Sequence, residues 1–537
     1  MVEREPVVCD GSSLRPEDVV AVARDDAPVT VPEETRADIR DARERVEEIV
    51  DSGATAYGLN TGFGELVDER ISPDKIDQLQ TNLLRSHASG AGRVLTRPEV
   101  RALLVTRINA LAVGYSGIRE LVVDRLVEML NRGVHPVVRS RGSLGASGDL
   151  APLAHASLVL IGEGEAVVDT DDRRPQPSEA DARMSGQEAL ESVDLEAVTL
   201  TAKEGLALIN GTQLTVGLAS LFLIDAERAL SAADAAGSLS IEVSMGTDAI
   251  TEPAIHEARP HAGQLETARD VALLLEDSEI ILSHRDCDRI QDAYSMRCIP
   301  QVHGAVRDAL VHLREAVETE LNSATDNPLL FSGDRIGDRA TGTPNARVIS
   351  GGNFHGEPLA LRLDYALSAL TELAAISERR VDRLINPNVQ ESHLPPFLTP
   401  DSGLNSGYMI AQYTATAMLN ELRSIGRASI DSTPVSGNQE DHVSMSAQSA
   451  LNARRGVSNL ITVVAIELLC ACQAAEFVDD DLGHGRGTDL VYDAVRELVP
   501  PLEDDRPLHD EIDAVGTLVR SGLLDERIRS VLPDSAA

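Results

Sequence analysis

Gly142-Ser-Leu-Gly-Ala-Ser-Gly-Asp-Leu150 is the stretch from which the rest of the chain is read. At its centre stand Ala146, Ser147 and Gly148, three small residues in succession. Small side chains let backbone atoms approach closely, and glycine reaches backbone angles that other residues avoid. If the Gly148 nitrogen attacks the Ala146 carbonyl, the backbone closes into a ring. Loss of water from the Ser147 side chain then leaves an exocyclic methylidene, an electrophile that ordinary side chains do not supply and that does the work of an external cofactor. The plainer reading is a Gly/Ser-rich loop chosen for its backbone angles, and these nine residues alone do not separate the two. A serine-hydrolase elbow needs glycine where Asp149 stands. A phosphate loop needs Gly-Lys-Ser/Thr, and no lysine is near.

Further motifs lie on both sides. They are Tyr57-Gly-Leu-Asn-Thr-Gly-Phe-Gly64, Ser86-His-Ala88, Asn210-Gly-Thr-Gln213 and Gln291-Asp-Ala-Tyr-Ser-Met-Arg297. Asn322-Ser-Ala-Thr-Asp-Asn-Pro328, Gly352-Asn-Phe-His355 and Gln439-Glu-Asp-His-Val-Ser-Met445 follow. With these in order, and Asp149-Leu-Ala-Pro-Leu153 after the central triplet, the chain resembles the histidine/phenylalanine ammonia-lyase family over most of its length. The resemblance implies that Ala146-Ser147-Gly148 cyclises to methylidene-imidazolone (MIO), with no external cofactor. It also implies a homotetramer whose active sites are assembled from more than one chain.

Eliminating ammonia from an amino acid poses two problems: the amine leaves poorly, and the β-proton is barely acidic. The methylidene would improve the departure of the amine. By family correspondence Tyr57 is the base; a phenol has a free pKa of about 10, so its neighbours must lower it. Arg297 is the clamp for the substrate carboxylate, because its planar fork binds such a group bidentately. Tyr294 lies three residues earlier, on the same side of a helical turn, and resembles the family tyrosine beside the prosthetic group. Asn210 is expected to hydrogen-bond the ring or the substrate, with Gln291 and Phe354 lining the pocket. Glu440 could accept a hydrogen bond from an imidazole N–H, and His87 could bond the same ring. A site built to pair with a polar ring rejects a plain phenyl. The Gln439–Met445 segment resembles the histidine branch of the family, which implies L-histidine as substrate and trans-urocanate and ammonia as products. One departure is Ala293, where the family often has proline.

Rival readings are a tyrosine or phenylalanine lyase or an aminomutase on the same scaffold, and a non-catalytic helical oligomer. Metal-dependent hydrolysis through His284, His303, His355 and His442 has no His-x-x-x-His or His-Glu-x-x-His spacing behind it, so no metal site is expected.

The net charge is −39, from 87 acidic and 48 basic residues, and Lys75 and Lys203 are the only lysines. Such a surface repels nucleic acid and anionic membranes. At about 1 M salt the Debye length falls to roughly 3 Å and the self-repulsion is screened, which points to a salt-rich cytosol such as that of halophilic archaea; the rival reading is a merely acidic mesophilic protein, and the scarcity of lysine favours the first. The five cysteines (Cys9, Cys287, Cys298, Cys470 and Cys472) form no Cys-x-x-Cys pair, against a disulfide frame or zinc site. The polar, acidic Met1-Val-Glu-Arg-Glu-Pro start is not a signal peptide, so a cytoplasmic location is expected. Val457–Ala475 is apolar but broken by Glu467, which reads as a buried helix and not as a membrane span.

Apolar residues recur at helical spacing at Ile39, Ala42, Val46 and Ile49, from Ile76 after a Ser72-Pro73 cap, and over Thr96–Val113 and Ile118–Asn131. A polar segment from Asp169 to Gly186 reads as an exposed excursion. Longer helices are expected near 213–235, 301–322, 356–385, 405–425 and 441–476. The expected fold is mainly α: a long-helix bundle over 206–480 forming the oligomer core, a smaller α-rich domain over 1–205 carrying the prosthetic-group loop, and a helical segment over 481–537.

Overall fold

The computed structural model describes residues 5–53, 75–285, 290–336, 340–479 and 481–532. Tyr57 with its glycine-rich motif, Cys287 and the Ser72-Pro73 cap lie outside the described residues.

The fold is mainly α, with twenty α-helices and a few small sheets of two or three short strands among the described residues. The chain packs as two compact units, each drawn from three separate segments: 1–224, 313–364 and 427–451 in the first, 225–312, 365–426 and 452–537 in the second.

In the first unit the helix Arg97–Ala112 starts where the Glu99 carboxylate accepts from the Thr96 amide (2.8 Å) with Pro98 in the first turn. It is buried on all sides, so its polar residues need internal partners: Arg101 donates to the Val22 and Leu130 carbonyls and Arg107 to the Asn210 carbonyl. The strand Arg139–Arg141 pairs antiparallel with Ala91–Val94, and the helix Leu150–Leu160 begins nine residues later. Between them the segment 142–149 is held at both ends by regular structure. The excursion after Asp169 is exposed over 170–174 and returns as a short strand, Met184–Ser185, paired with Glu165–Ala166.

The long helices are Gln213–Val243, Ile299–Leu321, Glu357–Ile385, Met409–Ser424 and Ser446–Ala475. The first runs eight residues past the expected end. Its last turns carry Ser238, Ser240 and Glu242, which break the apolar pattern yet are buried. Ser240 donates to Glu467, and Glu242 accepts from Gly485 and Thr488 and pairs with His484. Met409–Ser424 starts late because the Ser406 and Gly407 amides donate to Asp505 (both 2.8 Å) instead of entering a helix. Ser446–Ala475 starts late because the Met445 amide donates to the Leu144 carbonyl (2.7 Å), with Met445 at φ +55°.

Ser446–Ala475 is long and apolar enough to cross a membrane by length and composition, but it is mostly buried within the protein. Glu467 in its middle is fully buried and accepts a forked pair of bonds from Arg380 (2.5 and 2.9 Å). Cys470 and Cys472, on the same helix, are buried thiols; burial pushes Cys472 up to about 12.

Candidate active site

The Gly142–Asp149 loop is stitched to three other segments of the first unit. The Asn210 side-chain amide donates to the Ser147 carbonyl (2.8 Å), and the Asp149 amide donates to the Gly211 carbonyl (2.6 Å). The Gly356 amide and the Ser444 hydroxyl both donate to the Gly145 carbonyl (3.1 and 3.0 Å). Two glycines are obligatory at these approaches. Gly148 sits at φ +78°, and a Cβ there would overlap the Gly211 backbone; Gly145 sits at φ +67° against the Ser444 and Ser446 hydroxyls. Ala146 and Gly148 are buried and Ser147 half-buried.

Asp149, quoted in the motif but given no role by the sequence, anchors the loop from beneath. Its carboxylate accepts from Ser143 Oγ (2.7 Å) and from the Thr215 amide (2.8 Å) and hydroxyl (3.2 Å). Burial still pushes its pKa up, against those bonds. Glu320 also escaped the sequence reading. It accepts from Thr212 Oγ1, one residue beyond Gly211, and burial lifts it to about 7, with the charge of Asp149 adding to the rise. Only tertiary packing places a helix-end glutamate there. Arg107 underpins the Asn210 loop, donating to the Asn210 carbonyl (2.9 Å) and to Gln213 Oε1 (2.5 Å).

Glu440 reaches the centre of the loop: Ser147 Oγ donates to Glu440 Oε1 at 3.0 Å. His87 closes the helix Ile76–His87, and its Nδ1 lies 2.9 Å from the Leu83 carbonyl. That carbonyl can only accept, so Nδ1 carries the proton and Nε2 of the neutral ring is an acceptor. Burial lowers the His87 pKa, and the nearby Glu440 charge pulls the other way, so the two groups sense each other. Phe354 is half-buried on the segment pinned through Gly356 to the loop. Asn210 Oδ1 is buried with no hydrogen-bond partner among the described residues.

Gln291, Tyr294 and Arg297 lie together in the second unit. Tyr294–Arg297 forms one helical turn, as the three-residue spacing predicts, and Arg297 Nη1 donates to Gln291 Oε1 (2.5 Å). All three line a cavity of about 540 Å³ with Ile250, Ile290 and Cys298, and Tyr294 is 75% exposed. Ala293 precedes the turn at φ −61°, an angle proline would fix, so its replacement of proline leaves the backbone course intact.

The model of the aromatic amino acid lyase family matches residues 14–497. The chain belongs to that family. It is 60% identical to a probable histidine ammonia-lyase of Halobacterium salinarum over 98% of both chains. Among solved structures it resembles tyrosine aminomutase from Streptomyces globisporus (TM-score 0.89, 37% identity, 99% of this chain and 100% of that one). It also resembles histidine ammonia-lyase from Trypanosoma cruzi (TM-score 0.88, 38% identity, 98% and 96%). Lyase and aminomutase are thus equally good matches in fold, and the chemistry rests on side chains.

Proposed function

We propose that this chain is a histidine ammonia-lyase, which eliminates ammonia from L-histidine to give trans-urocanate, the first step of histidine breakdown. The observation that carries the reading is the carboxylate of Glu440 at 3.0 Å from Ser147 Oγ, with His87 close enough to respond to its charge. An anionic acceptor and a neutral imidazole acceptor together suit a ring that donates N–H bonds and leave a plain phenyl unmatched. The names of the haloarchaeal and trypanosomal relatives agree.

The loop suits MIO formed from Ala146-Ser147-Gly148. Gly148 takes an angle and an approach closed to other residues, the Ser147 carbonyl is gripped by Asn210, and the buried, unpartnered Asn210 Oδ1 is left to face a further donor. When formed, the group supplies an electrophile that turns the substrate amine into a better leaving group. The chain's other residues bind and move protons. Glu440 and His87 Nε2 orient the imidazole. By family correspondence Arg297 holds the carboxylate, Tyr294 lies beside the prosthetic group, Gln291 and Phe354 line the pocket, and Tyr57 takes the β-proton. The assembly is a homotetramer with shared active sites, working in a salt-rich cytoplasm.

Near-UV absorbance of the purified protein with L-histidine, L-tyrosine or L-phenylalanine in high salt tests this, with Ser147→Ala alongside. Urocanate from histidine alone, and only with Ser147 intact, is the expected result. A product from tyrosine or phenylalanine overturns the roles given to Glu440 and His87. A β-amino acid in place of the unsaturated product makes the chain an aminomutase.

A further inference from the structure

We propose that His355, Glu357 and His442 form a binding site for a divalent transition-metal ion of the zinc class. The spacing of these residues in sequence gives no hint of it, because 84 positions separate the two triplet members on one segment from the third. In the first unit they converge: one ligand atom from each lies within 4.8 Å of the other two. The His355 and His442 rings lie parallel, 5.6 Å between centroids and 6° between planes. His355 Nε2 and Glu357 Oε2 are both buried with no hydrogen-bond partner among the described residues. A buried polar atom without a partner carries an uncompensated loss of hydration, so a ligand that satisfies both atoms is favoured.

The donor set names the ligand class. Two imidazoles and one carboxylate match zinc and its first-row neighbours, while magnesium and calcium prefer oxygen alone. Three protein donors leave at least one position for water. Donors around a tetrahedral zinc stand roughly 3.4 Å apart, given bonds of 2.0–2.1 Å, so the three side chains need only small rotations to close on an ion. His355 Nδ1 accepts a long bond from the Glu357 amide (3.4 Å), a contact at the outer limit of hydrogen bonding. Binding through Nε2 moves the ring proton to Nδ1 and gives up little.

The backbone around the three is already fixed. Gly356, between His355 and Glu357, donates to the Gly145 carbonyl, and Glu357 opens the long helix Glu357–Ile385. On the other side the Val435 amide donates to the Glu440 carbonyl (3.0 Å), and the Val443 amide to Ser432 Oγ (3.0 Å). An ion here ties the Phe354 segment to the Glu440 segment. The site stands whatever the substrate, since it is argued without reference to the reaction.

The test is equilibrium dialysis of the chelator-treated full-length protein against zinc chloride, with excess magnesium to saturate diffuse binding to the acidic surface. Cobalt chloride serves as a spectroscopic probe. One tightly held zinc per chain is expected, with a visible cobalt spectrum free of thiolate charge-transfer bands. His442→Ala, at an exposed side chain that does not threaten folding, is expected to weaken zinc at least 10-fold, as are His355→Ala and Glu357→Gln; Asp441→Asn is the control. Zinc held no better than magnesium, or held equally by His442→Ala, overturns the site. So does a thiolate signature in the cobalt spectrum, which would move the ion to a cysteine.

Discussion

At Glu440 a single oxygen separates two kinds of pocket. A carboxylate accepts from Ser147 Oγ and biases His87; a carboxamide of the same shape keeps the volume but loses the charge. A hydrogen bond to a charged group contributes about 1.5–3 kcal/mol. Glu440→Gln is therefore expected to lower kcat/KM for L-histidine about 10- to 100-fold while leaving the fold intact, read by steady-state kinetics and circular dichroism. An unchanged kcat/KM removes Glu440 from the site. Glu320 offers a prediction in pH. Burial raises its folded pKa to about 7 from the ordinary 4.5. An acid raised on folding contributes stability that is complete below its unfolded pKa and is lost as pH climbs through the folded one. The loss falls between pH 4.5 and 7 and amounts to about 3 kcal/mol at most. Glu320→Gln keeps an acceptor for Thr212 and cannot ionise. It is expected to be more stable than the parent at pH 8 and equal to it near pH 4.5, by denaturant unfolding at the two values.

Elements carry their own tests. The turn Tyr294–Arg297 follows Ala293 at φ −61°, and among the described residues the Ala293 amide donates to nothing. Ala293→Pro is expected to stabilise by about 0.4–1 kcal/mol by restricting the unfolded chain, with Tyr294 and Arg297 undisturbed. A loss of stability would mean that the segment before the turn cannot accept proline. In the second unit Arg380 is fully buried and reaches three elements: Glu467, the Ser295 carbonyl (3.2 Å) and His303 Nε2 (3.2 Å). Arg380→Met strands the Glu467 charge and is expected to cost about 3–5 kcal/mol, whereas adding Glu467→Leu restores most of it, as a double-mutant cycle would measure. The same helices explain what could be read beforehand. Their interiors were legible because Ala, Leu and Val recur at helical spacing through them. Their ends were not, where tertiary bonds override propensity: Asp505 captures Ser406 and Gly407, and Leu144 captures Met445. Likewise the motifs located Ser147, Asn210 and Glu440. They were silent on Arg107, Asp149 and Glu320, whose roles come from burial against one another's loops and not from any local pattern.

Across the whole chain, charge dominates. Of the two lysines, Lys203 is fully buried against Asp326 (2.7 Å), so Lys75 is the only exposed one, and arginine carries nearly all the remaining positive charge. Many arginines are already committed to carboxylates, as Arg40 is to Glu33 and Glu120 and Arg85 to Glu163. The net −39 is thus left as acid–acid repulsion, which opposes the compact state. Repulsion between exposed charges has a range set by the Debye length, about 10 Å at 0.1 M salt and about 3 Å at 1 M. The melting temperature is expected to rise steeply as potassium chloride is raised through that range and then to flatten, followed by differential scanning fluorimetry. Screening separates from general solvent exclusion by two controls. Sucrose at matched osmolality should reproduce little of the rise, because it carries no charge. Glu44→Lys with Glu315→Lys, both exposed on helices of the first unit, should raise the melting temperature at low salt and leave it nearly unchanged at high salt. A melting temperature indifferent to potassium chloride would mean that the acidic surface is tolerated by packing alone, and that its function lies in hydration or solubility and not in balancing a salt-rich environment.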